Sequence, residues 1–150
     1  MVLFFFLLYT KTMIHLNHIG IAVEDCTGMK KLFSLLGLAV GSVETVPEQG
    51  VKTHFIELPK EKTNLELLEV ISDSSPVEQF LKKRGPGVHH LSFQTDPGGL
   101  DALSEKLRSE GYPLIYDQPR LGAHNMRVNF IHPKATGGVL IEIMEPHHEK

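Results

Sequence analysis

The sequence predicts an α+β fold in which two tandem βαβββ modules form one curved mixed sheet with the helices outside. A strand pattern that opens on a histidine occurs twice, and the two histidines, His18 and His90, are 72 positions apart. A strand that carries a glutamate follows each of them, and Glu66 and Glu142 are 76 positions apart. A repeat of this length indicates two copies of one unit that stack on each other. Pairing the two open sheets into one curved sheet also buries their exposed edges.

The first module is bounded at residues 14–72. Its first strand is followed by a helix with apolar residues at i, i+3, i+4 and i+7, and we place Asp25 at the N-cap of this helix. Three strands separated by turns complete the module. The strands are Leu16–Val23, Ala39–Thr45, Val51–Leu58 and Asn64–Ile71, and the apolar helix positions are Met29, Leu32, Phe33 and Leu36.

The second module, residues 87–146, repeats this order after a connector at residues 73–86. Its helix is predicted to have Asp96 as N-cap and Pro97 at the first helical position. The remaining elements are the connector helix Val77–Arg84, the buried stripe Leu100, Leu103 and Leu107, and the strands Val88–Thr95, Tyr112–Tyr116, Met126–Ile131 and Gly138–Glu145.

Composition narrows the class of protein. A chain of 150 residues with net charge −3 has the size of one domain and lacks the basic balance of a nucleic-acid-binding protein. Its single cysteine, Cys26, excludes an internal disulfide framework and a zinc site built on cysteine pairs, and it favours a cytoplasmic location. Any metal ion is therefore expected to be held by nitrogen and oxygen.

The two ends of the chain are interpreted as appendages. Residues 2–9 form an apolar run of eight residues, well short of the roughly 20 needed to span a bilayer, so we predict no membrane association. Residues 1–13 are interpreted as an N-terminal extension that is either a disordered tail or the product of an upstream start site. Residues 147–150 are interpreted as a polar tail.

Side-chain alternation along the strands predicts a metal site. Glu66 and Glu142 each lie between two apolar residues on a strand, so both carboxylates point away from the helices and into one cavity. The pseudo-two-fold relation of the modules adds His18 and His90. Two nitrogens and two oxygens suit Co²⁺, Mn²⁺, Ni²⁺ or Zn²⁺. Any one of the four residues alone would more often be structural, and the other histidines expected at surface or tail positions are His15, His54, His147 and His148.

These residues resemble the vicinal-oxygen-chelate, or glyoxalase-like, superfamily, whose fold is two βαβββ modules around one divalent metal. Over about residues 14–146, the chain is most similar to the methylmalonyl-CoA epimerase family within it. The motifs shared widely in the superfamily are His18–Val23, Glu66–Glu69 and Gly87–Leu91, and the more specific ones are Leu121–His124, Phe130–Lys134 and Gly137–Glu142.

The resemblance implies a metal-dependent epimerase that removes and returns the proton α to the thioester of methylmalonyl-CoA through a metal-stabilised enolate. The family's metal ligands match His18, Glu66, His90 and Glu142, and the ion expected is Co²⁺, with Mn²⁺, Ni²⁺, Zn²⁺ or Mg²⁺ as alternatives. It also implies an acyl-CoA substrate and a homodimer.

The residues that move the proton and contact the substrate are also expectations. The resemblance implies a general base at Glu48, whose position alone would suggest a solvated turn acid. Glu142 is the proposed acid/base partner on the other face. His124 and Asn125 are candidates for contacting the substrate, although Asn125 stands where the family is expected to have glycine.

Three other functions remain open on the sequence. A glyoxalase I-like lactoylglutathione lyase would use the same ligands, but its usual turn before the final strand is missing. A non-catalytic binding or resistance protein of this fold typically lacks one or more of the four ligands. An extradiol dioxygenase generally has a larger chain and one glutamate.

Overall fold

The computed structural model describes residues 13–147. The N-terminal extension and the C-terminal tail predicted above lie outside this range, apart from Met13 and His147. The helices are α1 Thr27–Leu35, α2 Pro76–Arg84 and α3 Leu100–Ser109, and the strands are β1 Ile14–Val23, β2 Val40–Val46, β3 Val51–Ile56, β4 Asn64–Val70, β5 Gly87–Thr95, β6 Arg120–Leu121, β7 Met126–Ile131 and β8 Leu140–Pro146.

One eight-stranded mixed sheet holds both modules, in the order β2-β3-β4-β1-β5-β8-β7-β6. Within the modules, β1 runs parallel to β4 and β5 runs parallel to β8. The modules meet where β1 pairs antiparallel with β5. The predicted fold class is thereby confirmed, and the four central strands are the first and last strands of the two modules.

The helices divide between the two faces of the sheet. α1 packs Phe33 on Ile56 and Leu67, which makes the outer core of the first module. Burial of each such side chain contributes roughly 1.5–3 kcal/mol. α2 instead packs Val77 and Leu81 against the concave face, where it covers one end of the sheet, so the expectation that the helices lie outside the sheet does not extend to α2. Within residues 13–147, no helix is both long enough and apolar enough to cross a membrane.

The predicted apolar stripe of α1 is wrong in part. Phe33 is buried, but Leu32 is 48% exposed and Leu36 is 64% exposed. The helix has only nine residues, and Leu36 lies beyond its end as the C-cap. The N-cap is Cys26 rather than Asp25, although the Asp25 carboxylate still accepts hydrogen bonds from the Thr27 backbone and hydroxyl.

The predicted start of α3 is also wrong. The helix begins at Leu100 with Gly99 as N-cap, three residues after Pro97. Gly98 has φ 82°, a left-handed conformation that a right-handed helix cannot include, so the segment from Asp96 forms a turn. The backbone N–H of Leu100 donates to a Glu145 carboxylate oxygen at 3.1 Å, and this carboxylate stabilises the positive end of the helix dipole.

The strand predicted at Tyr112–Tyr116 is replaced by a single bridge between Leu114 and Ile131. The buried side chain of Asn129 supplies the hydrogen bonds that strand pairing would have made: its amide oxygen accepts from the Tyr116 N–H and its amide nitrogen donates to the Tyr116 carbonyl. The chain is thus tied to the sheet without extended pairing, and the edge strand is β6 instead.

Candidate active site

The four predicted metal ligands lie on the four central strands. His18 is on β1, Glu66 on β4, His90 on β5 and Glu142 on β8, and all four line one cavity of about 200 Å³ on the concave face. Both histidines and Glu142 are buried. The structure therefore brings together the residues that the repeat pairs in sequence.

The distances between these side chains fit one metal ion. The Nε2 atoms of His18 and His90 are 3.0 Å apart, and two nitrogens bound at right angles to one ion with bonds of about 2.1 Å lie about 3.0 Å apart. Ligand atoms of His18, Glu66 and His90 all lie within 4.8 Å of one another. Glu142 does not belong to this set of three, although its Oε2 lies 3.8 Å from His90 Nε2.

The other ring nitrogen of each histidine already has a partner. His18 Nδ1 is 2.9 Å from the Asn17 amide oxygen, and the Asn17 amide nitrogen donates to Gln94 at 2.7 Å. His90 Nδ1 is 3.0 Å from His89 Nδ1. With Nδ1 engaged, each imidazole turns Nε2 toward the centre of the site, as a metal ligand requires.

Asn17 reaches the cavity because of a β-bulge. The pairing of β1 with β5 shifts register between Leu16 and His18, and the bulged strand turns two consecutive side chains to the same face. Regular alternation would have pointed Asn17 away from the site, so the sequence pattern gives no sign that it lines the cavity.

Burial makes the carboxyl groups of the site unfavourable to ionise unless a cation lies beside them. Burial, together with the smaller effect of the charges of Glu142 and Glu44, raises the pKa of Glu66 to about 8. Burial also raises the pKa of Glu142 to about 7, although the hydrogen bond from Ser92 opposes the shift. Burial lowers the pKa of His18 to about 4. A divalent ion would compensate the carboxylate charges and bind the neutral imidazoles, so this donor set suits a metal.

Gly20 makes room for one ligand. It pairs with His90 across the β1–β5 ladder, and a Cβ at this position would lie 2.2 Å from Cε1 of the His90 ring. Only glycine lets the imidazole lie across the strand in this way.

His124 and Asn125 occupy a loop from the second module that reaches the first. The His124 ring lies 4.3 Å from the Phe55 ring, and its Nδ1 is 3.2 Å from a Glu44 carboxylate oxygen. Both loop residues have left-handed backbones, with φ 52° and 54°. His124 lines the cavity, whereas the Asn125 side chain donates to the His147 carbonyl and does not line it.

Glu48 is not brought to the four ligands. It is exposed on a 3₁₀ turn, Pro47–Gln49, and the cavity lining there comes from its neighbour Gln49. The β3 residues that line the cavity are Thr53 and Phe55, neither of which is an acid. The role of Glu48 as a base stays a prediction.

Several other polar residues of the site were not found from sequence. Ser92 is fully buried and donates to a Glu142 carboxylate oxygen at 3.1 Å. Its position on β5, directly opposite Glu142 on β8, could have signalled this contact only after the strand order was known. The polar lining residues missed are Asn17, Gln49, Thr53, Asn64 and Gln94.

The prediction that His54 lies at the surface is wrong. The residue is 5% exposed and forms a cluster with Cys26 and Glu69 beneath α1. Every residue from Thr53 to Ile56 is buried, because the cavity covers one face of β3 and α1 the other. A strand buried on both faces gives no alternation from which to place a histidine.

Comparison with known proteins gives consistent results. A family model described as the Glyoxalase/Bleomycin resistance protein/Dioxygenase superfamily matches residues 17–130. An uncharacterized Bacillus subtilis protein is 40% identical over 135 residues, covering 87% of this chain and 91% of its own.

Solved structures of epimerases are similar in both sequence and fold. Methylmalonyl-CoA epimerase from Mycobacterium tuberculosis superposes with a TM-score of 0.82 and 38% identity, over 89% of this chain and 88% of its own. A variant of Streptomyces coelicolor methylmalonyl-CoA epimerase in complex with 2-nitronate-propionyl-CoA gives a TM-score of 0.80 and 33% identity, over 89% and 97%. The chain therefore belongs to the glyoxalase/bleomycin resistance protein/dioxygenase superfamily and, within it, to the family of the methylmalonyl-CoA epimerases.

Proposed function

We propose that this protein is a metal-dependent epimerase of methylmalonyl-CoA. The observation that carries the proposal is the convergence of two imidazoles and the carboxyl groups of Glu66 and Glu142 in one cavity, in a chain similar to epimerases over most of its length. The cavity has room for a small acyl group, and the rest of a coenzyme A thioester would lie outside it.

The residues that would hold the ion are His18, Glu66, His90 and Glu142, with Co²⁺ as the proposed metal. When bound there, a divalent ion would stabilise the negative charge that develops on the thioester oxygen as the neighbouring carbon loses its proton. The chain itself orients the ligands: Asn17 fixes the His18 ring, and Ser92 holds one oxygen of Glu142.

Epimerisation requires one group that removes the proton from one face of the substrate carbon and one that returns it on the other, and we assign both roles to carboxyl groups. Glu142 is the proposed acid/base group on one face, supported by its buried carboxyl in the cavity. Glu48 is the proposed base on the other face, supported by its place beside the cavity-lining Gln49. Its exposed side chain would have to turn toward bound substrate. Glu44, which contacts the cavity-lining His124, is the alternative candidate for the base on this face.

Hydrogen–deuterium exchange tests the proposal. Purified protein loaded with Co²⁺ should exchange the α-proton of methylmalonyl-CoA in heavy water, because epimerisation requires removal of that proton. Glu142→Gln should slow exchange by about 10²–10⁴-fold, as expected for loss of one general acid or base. Glu105→Gln, an exposed acid on α3, should exchange at the wild-type rate.

A comparison of Glu48→Gln with Glu44→Gln identifies the second carboxylate. Slow exchange in Glu48→Gln alone supports the proposed base, and slow exchange in Glu44→Gln alone assigns that role to Glu44. No exchange by the Co²⁺-loaded wild type would refute the epimerase. Conversion of the hemithioacetal of methylglyoxal and glutathione would instead show a glyoxalase I-like lyase.

We also propose a cytoplasmic homodimer. The apolar side chains that α1 and β2 leave exposed support an interface between two chains; they are Leu32, Leu35, Leu36 and Val43. Light scattering should give twice the chain mass, and Leu35→Glu should shift it toward the monomer. A monomeric wild type at micromolar concentration would refute the dimer.

A further inference from the structure

A second group of metal-ligating side chains lies on the outer face of the first module. Cys26 immediately precedes α1, His54 is on β3 and Glu69 is on β4. His54 and Glu69 alternate with Thr53 and Leu68, which line the cavity, so they point to the opposite side of the sheet. The group is therefore separated from the active site by the thickness of the sheet.

The three side chains are in mutual contact through Cys26 Sγ, His54 Nε2 and the two carboxylate oxygens of Glu69. Cys26 Sγ is 3.4 Å from His54 Nε2 and 3.6 Å from Glu69 Oε1, and His54 Nε2 is 3.0 Å from Glu69 Oε2. Around a tetrahedral Zn²⁺ with ordinary bond lengths, the sulfur–nitrogen and sulfur–oxygen edges are about 3.6 Å and the nitrogen–oxygen edge is about 3.4 Å. Each observed distance comes within about 0.4 Å of the corresponding edge, with Oε1 of Glu69 facing the sulfur and Oε2 facing the nitrogen.

The surroundings also suit a bound cation. Cys26 and His54 are each 5% exposed, and the Glu69 side chain is 27% exposed. A thiolate and a carboxylate together neutralise a divalent ion, and a set of sulfur, nitrogen and oxygen donors favours Zn²⁺. The partly exposed carboxylate leaves an entry path from solvent.

Lys30 is the neighbour that a bound ion must displace. Its amine lies 3.4 Å from His54 Nδ1, which leaves Nε2 as the ring nitrogen that converges with the other two donors. When a metal binds Nε2, Nδ1 must carry a proton, so the Lys30 amine has to swing away. Its long side chain permits this movement.

We propose that Cys26, His54 and Glu69 form a second metal site, which binds Zn²⁺ and fastens the N-terminus of α1 to strands β3 and β4. The site is independent of the epimerase chemistry and uses the single cysteine of the chain. Bound metal stabilises the folded chain, since the three donors come together only when α1 lies on the sheet.

Cobalt substitution distinguishes the two sites. Protein stripped of metal and titrated with Co²⁺ should bind two ions per chain and should develop a thiolate-to-cobalt charge-transfer band in the near ultraviolet. The proposed ligands of the cavity site are imidazoles and carboxyl groups, with no thiolate among them, so that site cannot produce the band. Zn²⁺ added afterwards should remove the band. A wild type that binds one ion and shows no band at saturating Co²⁺ would overturn the proposal.

Substitutions identify the residues that produce the charge-transfer band. Cys26→Ala should abolish it and retain one ion per chain, whereas Glu66→Gln, altered only in the cavity, should keep it. Glu69→Gln changes a partly exposed residue and should weaken the Co²⁺ affinity of this site by at least about 10-fold. If the band of Glu69→Gln develops with the same Co²⁺ affinity as that of the wild type, Glu69 is not a ligand of this site. Even if Cys26→Ala fails to fold, the wild-type spectrum and Glu69→Gln decide the proposal.

Discussion

Replacing Gly20 with alanine tests whether the position of His90 sets the metal affinity of the cavity. A Cβ at residue 20 would lie 2.2 Å from Cε1, 2.5 Å from Nδ1 and 2.8 Å from Nε2 of the His90 ring. Ordinary contact begins near 3.4 Å, so the ring has to retreat by about 1.2 Å, the difference between 3.4 and 2.2. The backbone of β1 cannot yield instead, since it is paired with β4 on one side and β5 on the other.

A displacement of that size is large for a metal ligand. Metal–ligand distances are held to within about 0.2 Å in a working site, and His90 Nε2 is only 3.0 Å from His18 Nε2. We expect Gly20→Ala to lower Co²⁺ affinity by at least about 10–100-fold, the loss seen when a ligand is disoriented. Overpacking should also reduce the unfolding free energy of the metal-free protein by about 1–3 kcal/mol.

The assay is a calorimetric Co²⁺ titration in a Cys26→Ala background, so that only the cavity site titrates, together with urea denaturation of the metal-free protein. Gly28→Ala is the matched control: a Cβ there meets nothing within 4 Å, and alanine in the helix should add up to about 1 kcal/mol of stability. If Gly20→Ala loses stability but binds Co²⁺ as tightly as the control, the reasoning about His90 is wrong.

Three further outcomes are expected. In metal-free protein, the raised pKa values of Glu66 and Glu142 mean that the folded state binds more protons than the unfolded state, so stability should fall as pH rises from about 6.5 to about 8. His18, with its lowered pKa, acts in the opposite direction only between about 4 and 6.5. Chemical denaturation across this range should show the fall; Glu66→Gln should flatten it, and a flat wild-type profile would contradict the assignment. Asn17→Ala should weaken Co²⁺ affinity by about 10–100-fold in calorimetry and leave the thermal midpoint nearly unchanged, because it removes the partner of His18 Nδ1; an equal affinity would show that Asn17 does not orient the ring. Asn125→Gly should keep the unfolding free energy within about 1 kcal/mol, whereas Asn125→Val should lower it, since φ 54° is strained for a β-branched residue; equal stability of the two variants would count against this.

The repeat and the alternation of side chains were enough to predict the sheet and to bring His18, Glu66, His90 and Glu142 together. Both patterns are regular and can be read directly from the sequence, and each ligand lies on a strand whose other face is apolar. The residues that sequence reasoning missed depend on irregular or long-range features. Asn17 faces the cavity because of a bulge, and a bulge leaves no mark in the pattern of apolar residues.

The errors in the predicted helix start and in the predicted strand also arise from long-range contacts. Asp96 and Pro97 have the residue types of a helix start, but Gly98 adopts a left-handed turn and Glu145, 45 positions after Leu100, marks the real start. The strand predicted at Tyr112–Tyr116 lost its pairing to the amide of Asn129. In each case a contact distant in sequence overrides a sound local preference.

The placement of one ligand on each of the four central strands links metal binding to the assembly of the two halves of the chain. His18 and Glu66 belong to one half and His90 and Glu142 to the other, so neither half holds more than two of the four donors. A bound ion therefore bridges the antiparallel seam between β1 and β5 as a non-covalent crosslink, and its binding free energy adds to the free energy of docking the halves. Substitutions along the β1–β5 pairing, even far from the cavity, should therefore change the metal affinity. Removal of the metal should weaken the contact between the two halves before it affects the structure of either half alone.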